Sequence, residues 1–253
     1  MYSTKKIYQI GLIGKSLKHS FSKNYFDKKM SKKLIFNFSY DLYEISSLDE
    51  IQQVFNQNNL IGLNITFPYK EKILKFINSL DEEAKEIRSV NTIFIDKKTS
   101  NISGYNTDWY GFDKSLNNFI KKIKIKALVL GSGGASKAIC YCLRKRKIPY
   151  VIVTRDPKKN MISYEDSEEL IREHKLIINT TILGTGLLKN KFPKINYNLI
   201  SKNHFVYDLA YNPTETLFLK KSKKMGAKTK NGYDMLKIQA DKSLELWKNK
   251  LKL

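Results

Sequence analysis

Residues 127–138 read Ala127-Leu128-Val129-Leu130-Gly131-Ser132-Gly133-Gly134-Ala135-Ser136-Lys137-Ala138. Four apolar residues make a short strand, and a glycine-rich turn leads from it directly into a segment with helical spacing. Gly131 permits a sharp exit from the strand, and Gly133 lets backbone N–H groups approach a pyrophosphate. A small residue further on lets the helix pack close to the sheet, with its positive N-terminus aimed at the anion. A ligand-free strand-to-helix turn can carry the same letters, but a strand before and a helix after is the context that favours a dinucleotide. On this reading Gly131 and Gly133 shape the turn for a pyrophosphate.

The next strand should end at the group that reads the adenosine ribose, about 20 residues on. It ends Val153-Thr154-Arg155-Asp156-Pro157-Lys158-Lys159. Arg155 can stack on adenine and bind a 2′-phosphate, with Lys158 or Lys159 adding charge. Asp156 can instead bond ribose hydroxyls and repel a phosphate, which would favour NAD. Three cations against one anion favour NADP.

Outward from this turn, two periods alternate. Strand-like runs cover 7–13, 34–42, 60–65, 90–95, 127–130, 150–154, 176–179 and 205–208, and helical spacing covers 22–30, 47–56, 70–77, 108–119, 135–146, 165–172 and 216–224. Such alternation predicts an α/β protein with parallel sheets and crossover helices. No internal repeat and no Gly/Ser-rich linker marks a boundary. Near the end, Leu236, Ala240, Leu244, Trp247 and Leu251 build one apolar helix face. Gln239 sits at the edge of that stripe, either as a boundary residue or as an amide held for a partner.

Composition narrows the class. The chain has 253 residues, 42% hydrophobic and 12% aromatic, which supplies a core and argues against disorder. Lys+Arg is 46 against Asp+Glu 24, a formal net charge of +22. A field of that sign attracts phosphates and raises nucleic acid as a partner. The excess is mostly Lys and is spread along the chain, so no nucleic-acid partner is expected. No apolar run approaches the roughly 20 residues of a membrane span, and the first 14 residues do not read as a secretory signal. Two cysteines, Cys140 and Cys142, exclude a disulfide framework and fit a reducing, cytoplasmic setting. Three histidines, His19, His174 and His204, lack ligand spacing, so no metal is expected.

The first hundred residues hold the remaining motifs. Gly11-Leu12-Ile13-Gly14 closes the first strand, and His19-Ser20-Phe21-Ser22 opens a helix. Ser20 and Ser22 can both bond a carboxylate at a helix N-terminus, although plain N-capping by one serine is the simpler reading. Asn64-Ile65-Thr66-Phe67-Pro68-Tyr69-Lys70 is a strand end, a proline break and a lysine expected to open a helix. A lysine at the positive end of a helix, partly desolvated, has its pKa lowered toward catalytic usefulness. Most lysines in so basic a chain are merely solvated. Val90-Asn91-Thr92 and Gly104-Tyr105-Asn106-Thr107-Asp108-Trp109 follow.

In this order, ahead of a dinucleotide turn, these segments resemble the shikimate dehydrogenase family, and the resemblance runs from Gly11 to Trp247. Asn179-Thr180-Thr181, Asp208-Leu209-Ala210-Tyr211-Asn212-Pro213 and 231–240 add to it. The resemblance implies reversible, NADP-dependent reduction of 3-dehydroshikimate to shikimate. It places Ser20 and Ser22 on the substrate carboxylate with Tyr211 nearby, and Thr66, Lys70, Asn91, Asp108 and Gln239 on the ring hydroxyls. Lys70 resembles the family's catalytic acid–base, and Asp108 its partner. Nucleotide contacts fall on Gly131 to Ala135, Thr154 to Lys159, Leu209 and Gly232, with Glu82 matching an acidic position associated with the cofactor.

The chain departs from the family pattern at Ser16, Lys23, at Arg88-Ser89 where Gly-Ala is usual, and after Gly184. The resemblance implies two domains. Residues 1–107 and 232–253 form an α/β substrate domain completed by the C-terminal helix, and 108–231 form a Rossmann-like NADP-binding domain. A relative that uses quinate or an amino analogue, with NAD or with both cofactors, is the alternative; a basic nucleic-acid-binding protein on the same fold is a remote one. Monomer and homodimer stay open.

Overall fold

The computed structural model describes residues 7–18, 20–32, 37–120 and 124–253. By contacts the chain divides into two compact units, one reaching Thr107 and including Ala240–Leu253, the other Asp108–Gln239.

The first unit contains β1 (Tyr8–Gly14), α1 (Phe21–Ser31), β2 (Phe38–Glu44), a 3-10 turn at Leu48–Glu50 running into α2 (Ile51–Phe55), and β3 (Leu60–Ile65). A 3-10 helix at Lys72–Phe76, β4 (Ser79–Leu80), α3 (Glu82–Ile87), β5 (Thr92–Asp96) and β6 (Asn101–Tyr105) complete it before the chain leaves. The sheet order is β2-β1-β3-β5-β6-β4. β1 runs parallel to β2 and β3, whereas β3–β5 and β5–β6 pair antiparallel. The expectation of wholly parallel sheets is therefore corrected here. Only residues 97–100 join β5 to β6, with Ser100 at φ 57, which leaves room for a hairpin but not for a crossover helix.

Side-chain alternation buries both faces of this sheet. Ile10 and Leu12 of β1 pack with Phe26, Tyr40, Leu244 and Trp247, while Ile13 packs with Ile51, Leu63, Ile73 and Val90.

The second unit contains α4 (Asp108–Asn117), β7 (Ala127–Leu130), α5 (Gly134–Lys145), β8 (Tyr150–Val153), β9 (Met161–Ile162), α6 (Glu168–Ile171) and β10 (Leu176–Asn179). It continues with β11 (Phe205–Asp208), α7 (Leu217–Lys224), β12 (Lys228–Lys230) and the start of α8 (Tyr233–Leu251). Its sheet, ordered β12-β11-β10-β7-β8-β9, is parallel throughout. Ala127 and Val129 enter one core, Leu128 and Leu130 the other, which is why β7 reads as an unbroken apolar run.

The first two turns of α8 count with this unit, although the sequence reading grouped 232–253 with the first. Met235 joins the core of Phe112. Gly111 lies so close that a Cβ there would come within 2.6 Å of the Met235 carbonyl.

Three further differences concern local structure. The helix expected over 70–77 is the 3-10 helix Lys72–Phe76, and the helix over 47–56 is a capped 3-10 turn followed by five α-helical residues. β4, α3, β6, β9 and β12 were not foreseen. His19 and part of the strand expected over 34–42 lie outside the described residues.

Candidate functional site

In each unit the sheet grows outward from its first strand and then restarts on that strand's other side. The restart occurs between β1 and β3 in the first unit and between β7 and β10 in the second. Loops leaving the carboxyl ends of two such strands part in opposite directions and leave a crevice, the common place for ligands in α/β sheets. Ser20, Ser22, Thr66 and Lys70 follow the strands of the first point, and Gly131 to Ala135 follow β7 at the second.

In the first unit, Gly14 ends β1 and Ile65 ends β3, paired one residue apart. A Cβ on Gly14 would come within 2.6 Å of the Thr66 methyl, so glycine is what lets the two loops approach. Ser20 is the N-cap residue of α1, yet its hydroxyl does not cap the helix. Among the described residues, Ser20 and Ser89 carry the two buried side-chain oxygens that lack a hydrogen-bond partner. N-capping by the Ser20 hydroxyl is therefore not what the structure shows. Ser22, buried in the first turn, lies on the same helix end.

Main-chain bonds bring three more expected residues together. The Ile65 N–H donates to the Asn91 carbonyl at 2.8 Å, and the Val90 N–H donates to the Lys70 carbonyl at 2.8 Å. Thr66, Lys70 and Asn91 are thereby held side by side. Lys70, half-buried, lies in the turn before the 3-10 helix. The helix expected to open at Lys70 and lower its pKa is instead a 3-10 helix that begins at Lys72, so Lys70 does not sit at a helix N-terminus. The Asn91 side chain is engaged with Thr107, whose N–H donates to Asn91 Oδ1 at 2.6 Å. Glu82 is exposed at the start of α3. A cavity lined by Lys15, Pro68, Tyr69 and Lys72 includes none of the expected substrate residues.

In the second unit, the glycine turn follows β7 and Thr180 follows β10. Gly131 has φ +109, and a Cβ on it would come within 2.7 Å of Thr180 Oγ1, so both conformation and space require glycine. At Gly133 the reason differs. Its φ is −81, and an added Cβ would meet nothing within 4 Å. Nothing in the protein asks for glycine there; the open space suits a group approaching the backbone. Gly133 caps the twelve-residue α5 without a side-chain cap, and no acidic residue occupies the first turn. Those N–H groups and the helix dipole favour an anion.

Thr154 lies buried just past β8, its Oγ1 3.2 Å from Ser132 Oγ. Arg155, Asp156, Lys158 and Lys159 are all exposed in the turn beyond it. Gly232 packs against the Leu209 main chain, and its N–H donates to the Ala210 carbonyl at 2.9 Å. Tyr211 is half-buried beside them. Asp208, at the end of β11, accepts from Thr216 Oγ1 at 2.6 Å, the Ala210 N–H at 3.1 Å and Asn179 Nδ2 at 3.0 Å. Burial pushes its carboxyl up to about 6. Asp108 is buried as the first residue of α4, and the buried Gln239 donates from Nε2 to the Leu236 carbonyl at 3.0 Å.

The sequence reading assigned no role to Asn64, Thr92, Thr107 or Ser243, which form one buried hydrogen-bonded cluster. A signal for Ser243 was present: it falls three residues after Ala240 and four before Trp247, inside the apolar stripe. Among the described residues, no group of three or more His, Cys, Asp or Glu could hold a metal ion. No helix among them is long and apolar enough to cross a membrane.

A parallel sheet with an open glycine turn at its switch point defines a dinucleotide-binding α/β protein, and a second α/β unit carries a lysine, hydroxyls and an orphaned serine at its own. Residues 12–93 match the family described as shikimate dehydrogenase substrate binding domain. The chain is 35% identical to shikimate dehydrogenase (NADP(+)) of Clostridium botulinum strain Hall, over 95% of this chain and 96% of that one. The solved shikimate dehydrogenase of Aquifex aeolicus superposes with a TM-score of 0.86 at 34% identity, covering 98% of this chain and 95% of that one. The Thermus thermophilus enzyme solved with NADP(H) and shikimate gives 0.82 at 26% identity, over 96% and 94%. The chain belongs to the shikimate dehydrogenase family.

Proposed function

We propose that this chain catalyses the reversible reduction of 3-dehydroshikimate to shikimate with NADPH, a step toward chorismate and the aromatic amino acids. The observation that carries this reading is the buried Ser20 hydroxyl without a partner at an uncapped helix end, on a chain 35% identical to an NADP-dependent relative over nearly its full length. The first unit is the substrate half and the second the nucleotide half.

In this reading Ser20 and Ser22 bond the substrate carboxylate, assisted by the N-terminus of α1, with Tyr211 as a further contact. Thr66, Asn91 and Gln239 bond the ring hydroxyls. During reduction the carbonyl oxygen gains negative charge and must receive a proton. Lys70, as an ammonium ion, stabilises that charge and supplies the proton; Asp108 is its carboxylate partner. In the reverse direction the neutral Lys70 amine takes the hydroxyl proton. Gly131, Ser132, Gly133, Gly134 and Ala135 would hold the NADP pyrophosphate, Thr154, Arg155, Lys158 and Lys159 the adenosine 2′-phosphate, and Leu209 and Gly232 the nicotinamide end. Glu82 is proposed on resemblance alone. NADP, when bound, supplies or accepts the hydride.

Asp156, exposed in the same turn as Arg155, favours a second reading in which NAD is the cofactor, and quinate is the alternative substrate to test beside it. Following the absorbance of reduced nicotinamide with shikimate or quinate, and with NADP or NAD, separates the two by kcat/KM. No turnover with any pair removes both. The free, buried Cys140 and Cys142 fit a reducing cytoplasm. The roles above ask nothing of a second copy, of a membrane or of nucleic acid, so monomer and homodimer both accommodate them.

A further inference from the structure

Polar side chains of β2, β3, β5, α8 and the residue before α4 join in one buried hydrogen-bonded cluster of the first unit. Ser243 of α8 is fully buried. Its Oγ accepts from Asn64 Nδ2 at 3.0 Å and lies 2.8 Å from Thr92 Oγ1 and 3.1 Å from Thr107 Oγ1. Tyr40 Oη donates to Asn64 Oδ1 at 3.0 Å. Thr107 continues the chain of bonds: Asn91 Nδ2 donates to its Oγ1 at 2.9 Å, while its own N–H donates to Asn91 Oδ1 at 2.6 Å.

Those two opposed bonds set the orientation of the Asn91 amide. Only the amide oxygen can accept from a backbone N–H, and only the NH₂ can donate to the Thr107 hydroxyl, so the amide cannot turn over without losing both. The Thr107 hydroxyl is in turn held by Ser243. An alanine at 243 would continue the apolar stripe of α8 and bury no polar atom. A hydroxyl at a fully buried position costs desolvation that only its bonds offset, and these bonds converge on Asn91.

We propose that Ser243 is a positioning residue for shikimate: it fixes the Thr107 hydroxyl, and through it the face that the Asn91 amide presents to the substrate. Ser243 does not itself touch the substrate. The proposal rests on the reading that Asn91 bonds a ring hydroxyl.

The test uses the full chain with Ser243→Ala, Thr107→Val, Thr107→Ser and the Ser243→Ala/Thr107→Val double variant. Initial rates with shikimate and NADP are combined with calorimetric titration of shikimate. The expected result is a rise of about tenfold in KM and Kd for shikimate in Ser243→Ala and in Thr107→Val, the scale of one lost hydrogen bond. KM for NADP stays within about twofold, Thr107→Ser stays near wild type, and the double variant is no worse than the poorer single one, because both cut the same link. A merely structural role lowers kcat, as a smaller active fraction, at unchanged KM and Kd; that outcome, or additive losses in the double variant, overturns the proposal. If Ser243→Ala does not fold, the contrast between Thr107→Val and Thr107→Ser decides from the other end of the link. A wild-type chain inactive with shikimate overturns the underlying reading and this one with it. An active wild type matched in both constants by Ser243→Ala overturns this one alone.

Discussion

The indole of Trp247 lies flat against Gly62, and its Nε1–H donates to the Ile93 carbonyl at 2.9 Å, 154 positions away in the chain. Trp247 is fully buried among Ile10, Phe26 and Leu244. A methyl group at position 62 would overlap the rigid indole rather than the end of a flexible chain. Gly62→Ala should therefore cost about 1–3 kcal/mol or more of stability, read as a lowered urea midpoint. A variant as stable as wild type would mean that the indole does not occupy that face.

Two departures from the family pattern acquire a structural cost. Arg88 ends α3 in the left-handed region, φ 55 and ψ 41, where glycine carries no penalty. Ser89 follows, fully buried, with its hydroxyl unpartnered. Arg88→Gly and Ser89→Ala should each raise stability by about 1 kcal/mol. Chemical denaturation of the two single variants checks this, and a loss in Ser89→Ala would reveal a partner for the hydroxyl.

Lys70 is the group on which turnover should depend. Lys70→Ala is expected to lower kcat on the order of 10²–10⁴-fold while leaving the fold and NADP affinity intact. Near-normal turnover with shikimate would remove Lys70 from proton transfer.

Arg155 stands exposed at the end of β8 with Lys158 and Lys159. Arg155→Ala should raise KM for NADP about tenfold or more, since a charge-assisted contact to phosphate is lost, and should change KM for NAD by much less. Equal changes for the two cofactors would assign the 2′-phosphate to other residues.

Asp81 caps α3 by accepting the Ala84 N–H at 2.7 Å. Burial raises its carboxyl to about 6, against a smaller lowering by that bond. With the folded value above the unfolded one, the folded state holds more protons between about pH 4 and pH 6. The contribution of Asp81 to stability is thus fully present below pH 4 and is lost as pH rises through 6. Asn caps a helix equally well and does not titrate. The stability of Asp81→Asn relative to wild type should rise from pH 4 to pH 7, as urea midpoints across that range will report.

The nucleotide half was legible because each of its signals is local. β7, β10 and β11 lie where short apolar runs predict them, and the glycine turn sits between strand and helix. The first half was harder. β6 contains Asn101, Ser103 and Gly104, with too few apolar residues to announce a strand, and β4 and β12 are two and three residues long. Their pairing is a tertiary effect. Lys70 stands out by its motif, but the helix expected to start there is a 3-10 helix starting at Lys72, since a proline break and a run of mixed residues do not fix helix type. Ser243 interrupts the apolar stripe, but the sequence does not show which three partners, distant in the chain, reach it.

Ala240–Leu253 are translated after residues 108–239, yet they cover one face of the sheet built from residues 8–105. While the ribosome is still adding them, Ile10, Phe26 and Tyr40 have no indole to close over them, although residues 108–239 already have every strand of their own sheet. Residues 108–239 can therefore mature before residues 8–105, whose apolar face stays bare until Ala240–Leu253 emerge.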